Sequence, residues 1–273
     1  MALTGLQRDV KASNSLPPRT YQQIASPMTR LMLSRLVDRL AALVIAALLA
    51  LFCTSTVASS TVMTPFESHY SVDYSGFRAS RVVSLERTGS DYILRSTTTL
   101  KGLAQLSGFG PVYEVSRFEM HDGVIRPLLY TVGNDQNKHK RDIRIEFDWK
   151  TGLSRGFAKN KEQTFPLESG MQDPLTFELM ARLEFTRGQR APHYLVHEGH
   201  RIRDYVFVEQ ESETLKIAGQ SVAATRFFID RSSSRELYYW FASKPHFTAI
   251  QLRQEHNGKV KATVKLNHST MLD

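Results

Sequence analysis

The segment HYLVHEGH holds the residues whose types and spacing come closest to a catalytic or metal-binding motif in this chain. His193, His197 and His200 could each offer a ring nitrogen to zinc. On a strand, however, His193 and His197 lie roughly 13 Å apart at about 3.3 Å per residue, and His200 falls on the opposite face. Glu198 and Gly199 are typical of a hairpin turn. The pattern favours a solvated rim over a metal site, so we expect no metal and no other cofactor.

The motifs for serine catalysis and for phosphate binding are both weak. The sequence lacks the Gly-x-Ser-x-Gly motif of hydrolases, and the serine run 232–234 is typical of a polar turn. His69 and His121 lie beside acidic residues at strand ends. GFGP at 108–111 is followed by neither a helix start nor the lysine that a phosphate loop needs. We therefore expect no catalysis, and a hydrolase assembled from dispersed histidines is the least favoured hypothesis.

Aromatic and aliphatic side chains supply the stronger chemical signal. A curved sheet that encloses more apolar surface than one helix can fill is suited to bind an apolar ligand. The alternative, which the residues leave open, is that these side chains only form a core. The predicted lining of the concave face is Tyr70, Tyr74, Phe147, Trp149, Leu175, Leu179, Leu183, Tyr239 and Phe241.

The segment QDPLTFELMARLEFTRG predicts the one principal helix that must share this concave face. Asp173 can cap its first turn and Pro174 suits the first helical position. Glu178 and Arg182 are spaced for an ion pair, and Gly188 favours a stop. A helix that is apolar around more than half of its circumference needs cover on several sides. Its apolar positions are Leu175, Phe177, Leu179, Met180, Ala181, Leu183 and Phe185.

The rest of the chain alternates apolar and polar residues with the period of two that predicts strands. About ten or eleven short strands are separated by turn signals, among them the hairpin-forming pair Asn257 and Gly258. The glycine-rich segment 101–112 predicts a loop or short helical turn. We expect a mostly β protein with a single strongly curved antiparallel sheet, a half-barrel with one principal helix on its concave face. This single domain is expected to span residues 61–273.

The first 58 residues have the layout of a presequence with a secretory signal peptide. Three arginines precede an uncharged apolar run from residue 40 to about 58, and cleavage is expected near Ala58–Ser60. The true start is expected at Met28 or Met32 if the earlier residues are not translated. An uncleaved signal that anchors the protein in the inner membrane is the alternative. Cys53 is the chain's single cysteine, so the mature domain has no disulfide and no thiol nucleophile.

The charge distribution argues against nucleic acid as a partner. The chain carries a formal net charge of +8, of which about half belongs to residues 1–58. The remaining positive charge is too weak to predict binding to nucleic acid, although it allows loose attraction to anionic surfaces of the envelope. The basic stretch Lys138–Arg141 is interpreted as a solvated loop.

Several segments, in order, resemble a bacterial exported family known only as a domain of unknown function, DUF3108. They are GVIRPLLYTV, RIEFDWKTG, QDPLTFELMARLEF and ELYYWFASKPHFTAIQLRQEHNG. The most specific pieces are the pair Asp148 and Trp149, the helix start at Asp173, and the Trp240 strand before a proline-containing turn. The resemblance implies a fold similar to outer-membrane lipoprotein carriers, with helical cover inside a curved sheet. It implies no activity, so it assigns no functional residue.

These observations lead to three functional hypotheses. The first is a non-catalytic periplasmic protein that binds or chaperones an apolar or lipid-modified component of the cell envelope. The second is a structural or protein-interaction module that contacts an envelope protein through its convex face or an exposed edge strand. The third is the hydrolase, which would require several histidines to converge on a serine or carboxylate. None needs a membrane span after signal cleavage.

Overall fold

The computed structural model describes residues 62–107, 110–134, 142–243 and 246–272. Within these ranges the chain forms one antiparallel sheet of 14 strands, a single α-helix and a short 3₁₀ helix, Gly102–Ser107. The predicted fold class is therefore confirmed: the protein is mostly β, with one large antiparallel sheet that does not close into a barrel and one principal helix. The helical turn predicted within residues 101–112 is also present.

Some sequence predictions fall outside the described residues. They concern the presequence 1–58 with its cleavage site, residues 108–109 of the GFGP motif, and the basic stretch Lys138–Arg141. In the described part of the chain, neither helix combines the length and the apolar character needed to cross a bilayer.

The strands follow one another with short connections, and the α-helix α1, Thr176–Thr186, lies between β8 and β9. The order across the sheet is β8-β7-β6-β5-β4-β3-β2-β1-β14-β13-β12-β11-β10-β9, so neighbours are consecutive in the chain except where β1 pairs with β14. The strands are β1 Phe66–Tyr74, β2 Phe77–Thr88, β3 Asp91–Leu100, β4 Val112–His121, β5 Val124–Asn134, β6 Ile143–Asp148, β7 Leu153–Ala158, β8 Lys161–Pro166, β9 His193–His197, β10 Ile202–Ile217, β11 Gln220–Asp230, β12 Arg235–Ala242, β13 Ala249–His256 and β14 Lys259–Ser269.

The sheet has more strands than the ten or eleven predicted, chiefly because the hairpin of β7 and β8 has no clear signal in the sequence. Nearly every position of β8 is exposed, so its residues show no apolar alternation. Its turn, Lys159 and Asn160, has positive φ at both residues (53° and 58°). That geometry matches a two-residue hairpin turn, but it is formed here without the glycine that usually marks one.

Local hydrogen bonds explain where α1 begins and ends. The Asp173 carboxylate accepts hydrogen bonds from the backbone N–H groups of Leu175 (2.7 Å) and Thr176 (2.8 Å). The Thr176 hydroxyl accepts in return from the Asp173 N–H (3.1 Å). At the other end Gly188 adopts φ 87° and donates its N–H to the Phe185 carbonyl (3.0 Å). The predicted capping role of Asp173 and the predicted stop at Gly188 are both confirmed.

The sheet bends around α1. Phe185 of the helix stacks on Phe227 of β11 with ring centroids 4.6 Å apart, while the Met180 sulfur accepts a hydrogen bond from the Ile125 N–H of β5 (3.4 Å). β5 and β11 are eight places apart in the sheet order. In a flat sheet they would be roughly 38 Å apart, whereas a helix is only about 10 Å wide. Strong curvature is therefore required.

The two ends of the sheet meet by packing and not by strand pairing within the described residues. The His197 ring of β9 lies against Phe165 of β8 and Phe147 of β6, with centroids 5.1 Å and 5.9 Å away. A Cβ atom at Gly156 of β7 would overlap the Gly199 carbonyl and the His197 ring. We call this contact, made by Phe147, Gly156, Phe165, His197 and Gly199, the sheet seam.

Candidate functional site

A narrow cleft runs beside α1, on the side that faces β1–β3 and β13–β14. It encloses a cavity of about 30 Å³, which is room for one or two water molecules. Its walls are mostly apolar, but three of its side chains are charged. We call it the helix-side cleft; it is lined by Phe66, Tyr70, Arg81, Val83, Leu94, Leu175, Glu178, Leu179, Arg182, Leu252 and Val264.

Arg81 belongs to a hydrogen-bonded polar group on β2–β5. Its Nε donates to the Ser96 hydroxyl (2.8 Å), and its guanidinium pairs with the Glu114 carboxylate at 3.4 Å. Glu114 also accepts hydrogen bonds from Ser96 (3.1 Å) and from the Tyr130 hydroxyl (3.1 Å). Burial would lower the pKa of Arg81, but the Glu114 and Glu178 carboxylates raise it overall. Arg81 therefore remains a cation at the cleft wall.

Glu178 and Arg182 are the helix's contribution to the charged lining. Arg182 is only 8% exposed; its guanidinium lies 5.0 Å from the Phe66 ring and its Nε donates to the His246 carbonyl (3.4 Å). Among the described residues it forms no ion pair at salt-bridge distance. The predicted ion pair between Glu178 and Arg182 is therefore wrong. The two charges still interact, because Glu178 partly offsets the lowering of the Arg182 pKa by burial. Burial likewise raises the pKa of Glu178.

The carboxylate that caps α1 lies deeper, between the helix and β4. The Ser116 hydroxyl donates to Asp173 at 2.5 Å, and Asp173 is fully buried. Burial raises the pKa of Asp173 to about 6, against the opposing effect of its hydrogen bonds. All of its contacts are to the helix start and Ser116, so its arrangement serves the fold and offers no free face to a ligand.

The predicted ligand lining is only partly gathered at this cleft. Tyr70, Leu175 and Leu179 line it, and the Tyr70 hydroxyl donates to the Ala249 carbonyl (3.0 Å). Tyr74 has the same inward phase on β1 as Tyr70, but it lies at the strand end and is 54% exposed. The structure does not test whether any of these residues binds a ligand.

The other predicted lining residues lie away from the cleft. Phe147, Tyr239 and Phe241 are buried in the main core, and Leu183 packs against that core while half-buried. Trp149 lies in the β6–β7 turn, where its indole N–H donates to a backbone carbonyl at 2.7 Å. Sequence reasoning found the apolar walls but missed the charged ones. The available signal was Arg81, which stands in the inward phase of β2.

The histidines do not converge. The His193 ring pairs with Asp204 (2.8 Å) on an exposed surface, and the His121 ring lies 3.4 Å from Asp122 at the far end of β4. His197 is buried in the sheet seam, and His200 lies 3.3 Å from the Lys159 ammonium. Among the residues that the structure describes, no group of three or more potential ligands is placed to hold a metal ion. The convergence that a hydrolase requires is not formed by these residues.

A match among solved structures supports the fold. A β-barrel-like protein of the DUF1849 family from Brucella abortus matches with a TM-score of 0.50 at 12% identity, over 77% of this chain and 99% of its own. A protein described as exported, with a YmcC-like fold, from Bacteroides fragilis matches with a TM-score of 0.29 at 8% identity, over 76% of this chain and 96% of its own. At 12% identity the first match shares the fold alone, and the second match is too distant to argue from.

Comparison with curated proteins finds no match. The family model described as a protein of unknown function, DUF3108, matches residues 69–265. This range includes β2–β13, α1 and most of β1 and β14, together with nearly all of the helix-side cleft. Since the match covers well over half of the sequence, the chain belongs to the DUF3108 family, as the resemblance of its landmark segments implied.

Proposed function

We propose that this chain is a non-catalytic exported protein that binds or chaperones an apolar or lipid-modified component of the cell envelope. The observation that carries the proposal is the helix-side cleft, where apolar side chains from the sheet and the helix face each other with charged groups among them. Apolar walls with a few placed polar groups are typical of ligand sites. In the periplasm, which is the location we propose, lipid-modified molecules would be available to such a site.

The cleft must widen to admit an apolar chain, because its present cavity holds no more than one or two waters. The two sides of α1 are packed differently. Toward β10–β12 it is held by aromatic contacts such as Phe177 with Tyr205 (4.9 Å) and Phe185 with Phe241 (5.1 Å). Toward β1–β3 it presents the buried Arg182 and the half-buried Glu178, whose desolvation offsets much of what their attraction contributes. We therefore expect the cleft side to separate first.

Binding of a fluorescently labelled long-chain fatty acid tests the proposal. The parent protein and its variants are produced with the same amino terminus. Val83→Phe fills the cleft from β2 and should weaken binding about tenfold or more, because the space for the chain is lost. Val208→Phe is the matched control, since Val208 lies on β10 with 43% exposure, and it should bind like the parent. Equal affinity of the parent and Val83→Phe, with both folded, would reject the cleft as the binding site.

A second function is favoured by one observation, the free edge of β8. In the described part of the chain, β8 pairs only with β7, whereas the free side of β9 is occupied by Gln172, which exchanges backbone hydrogen bonds with Leu195 and His197 (both 2.9 Å). An unpaired edge can accept a strand from another protein. Crosslinking in cells that traps one protein stoichiometrically, without lipid, would favour this interaction module over the carrier.

A further inference from the structure

Exposed apolar side chains gather at one end of the sheet. Phe77 is 58% exposed, Tyr74 54%, Val260 53% and Leu103 86%, and Val112 lies beside them at 36%. Large apolar residues scattered singly over a surface need no explanation, but a contiguous group is typical of an interaction site. We call these five residues the apolar rim.

The topology explains why the rim residues lie at the same end of the sheet. Consecutive antiparallel strands alternate in direction, so the β1–β2 turn, the β3–β4 connection and the β13–β14 turn all lie at the same end. Tyr74 and Phe77 face each other across the β1–β2 pair. The Ser75 N–H donates to the Lys261 carbonyl (2.9 Å) and so joins this turn to β14, and the Lys101 N–H donates to the Arg78 carbonyl (2.8 Å).

Basic residues flank the rim. Arg78, Lys101, Lys259 and Lys261 are each within two positions of a rim residue, and all but the half-buried Lys261 are exposed. Three acidic residues also lie near the rim. The Asp73 carboxylate accepts a hydrogen bond from the Gly76 N–H (3.3 Å), while Glu114 and Glu255 are paired with Arg81 and Arg253. The flank therefore has an excess of positive charge.

We propose that the apolar rim docks on the surface of an anionic lipid bilayer. Aromatic and aliphatic side chains insert roughly 5–10 Å into the boundary between lipid headgroups and acyl chains. Lysines beside them are attracted to anionic headgroups. Connections from three separate strand pairs lie together at this end of the sheet, which suits insertion into a fluid surface better than a fit into a protein groove. The inference does not depend on ligand binding in the helix-side cleft.

A tryptophan reporter at the rim tests the proposal locally. Phe77→Trp is compared with Val208→Trp on the face of β10, whose parent residue is 43% exposed. Both proteins keep Trp149, Trp240 and the same amino terminus, so signals from those sources are common to both. With vesicles of phosphatidylethanolamine and phosphatidylglycerol, the emission of Phe77→Trp should shift to shorter wavelength and that of Val208→Trp should not.

Charge neutralisation tests the choice of partner. Lys259→Gln and Lys261→Gln should each weaken vesicle binding of the Phe77→Trp protein about fivefold, whereas Lys150→Gln, at the opposite end of the sheet, should leave it unchanged. Neutral vesicles of phosphatidylcholine should give little shift.

Four outcomes would overturn the proposal. They are no shift at position 77, equal shifts at both reporter positions, an equal response to neutral vesicles, and a shift that develops with protein concentration in the absence of vesicles. The last outcome would assign the rim to a contact between two copies of this chain.

Discussion

At the scale of single residues, His197 is a titratable group that is buried away from water. Its Nδ1 accepts a hydrogen bond from the Gly199 N–H (2.9 Å), so the proton of the neutral ring belongs on Nε2. Within the described residues Nε2 has no hydrogen-bond partner, because the rings of Phe147 and Phe165 surround it. Burial lowers the pKa of His197 from 6.5 to about 4. The sheet seam therefore requires a neutral imidazole.

This requirement predicts an acid-sensitive stability. Between pH 6.5 and about 4, unfolded His197 holds a proton that the folded ring does not, so the free energy of unfolding falls as the pH drops through this window. The loss at its lower end should be about 3 kcal/mol. Asp173, with its pKa raised to about 6, contributes a slope of opposite sign, since its folded state binds the extra proton. The contribution of His197 to this pH dependence must therefore be isolated by comparing the parent protein with a variant that lacks the imidazole.

His197→Gln keeps an acceptor for the Gly199 N–H and removes the titration. Urea unfolding of both proteins at about pH 7 and about pH 4.5 gives the two losses. The parent should lose more stability than the variant between these conditions. Equal losses would show that the buried imidazole does not govern the seam's response to acid.

At the scale of elements, the packing of β7 on β9 depends on the lack of a side chain at Gly156. A Cβ there would overlap backbone and ring atoms, whereas a Cβ at Gly133 of β5 would meet nothing within 4 Å. Gly156→Ala should therefore lower the free energy of unfolding by about 2–3 kcal/mol, because the sheet ends must separate. Gly133→Ala, the matched control, should change it by less than about 1 kcal/mol.

Urea unfolding measures both variants, and amide hydrogen exchange locates the change. Faster exchange in β6–β8 of Gly156→Ala, with β12–β14 unaffected, is the expected pattern. Similar stabilities for the two alanine variants would mean that the sheet ends separate at no cost.

The elements also show how far sequence reasoning reaches. The helix ends were predictable, because Asp173 and Gly188 act on backbone groups within a few residues. The β7–β8 hairpin was missed, because the exposed residues of β8 do not alternate. Arg81 was missed as a cleft residue although it shares the inward phase of β2, since its hydrogen-bond partners Ser96 and Glu114 lie on other strands. Features that depend on contacts within a few residues could be predicted from the sequence. Features that depend on residues distant in the chain could not.

At the scale of the whole domain, the curvature of the sheet was predictable from the wide apolar arc of α1, but the seam and the width of the cleft were not. The seam brings β6–β8 onto β9 through residues such as Phe165 and His197, whose own segments give no sign of that contact. The cleft is narrow because Arg81, Glu178 and Arg182 occupy it, and side-chain filling of that kind follows from the packed structure alone.

Because α1 contacts strands from both halves of the sheet, loosening the helix should destabilise both halves together. Phe185 is 2% exposed and its ring lies within 6 Å of four others, those of Phe207, Phe227, Phe241 and Phe247. Phe185→Ala should lower the free energy of unfolding by about 4 kcal/mol, from lost burial and the cavity left behind. Amides of β4–β5 and of β10–β12 should then exchange faster to a similar degree.

The matched control is Phe228→Ala, on the opposite face of β11, where the half-buried ring packs on Tyr238 with centroids 5.4 Å apart. It should cost about 1 kcal/mol, because less apolar surface is lost there. If Phe185→Ala speeds exchange in β10–β12 while β4–β5 keep their protection, the helix does not couple the two halves. In that case each half is held to α1 by its own contacts, which agrees with the cleft side separating from the helix before β10–β12 do.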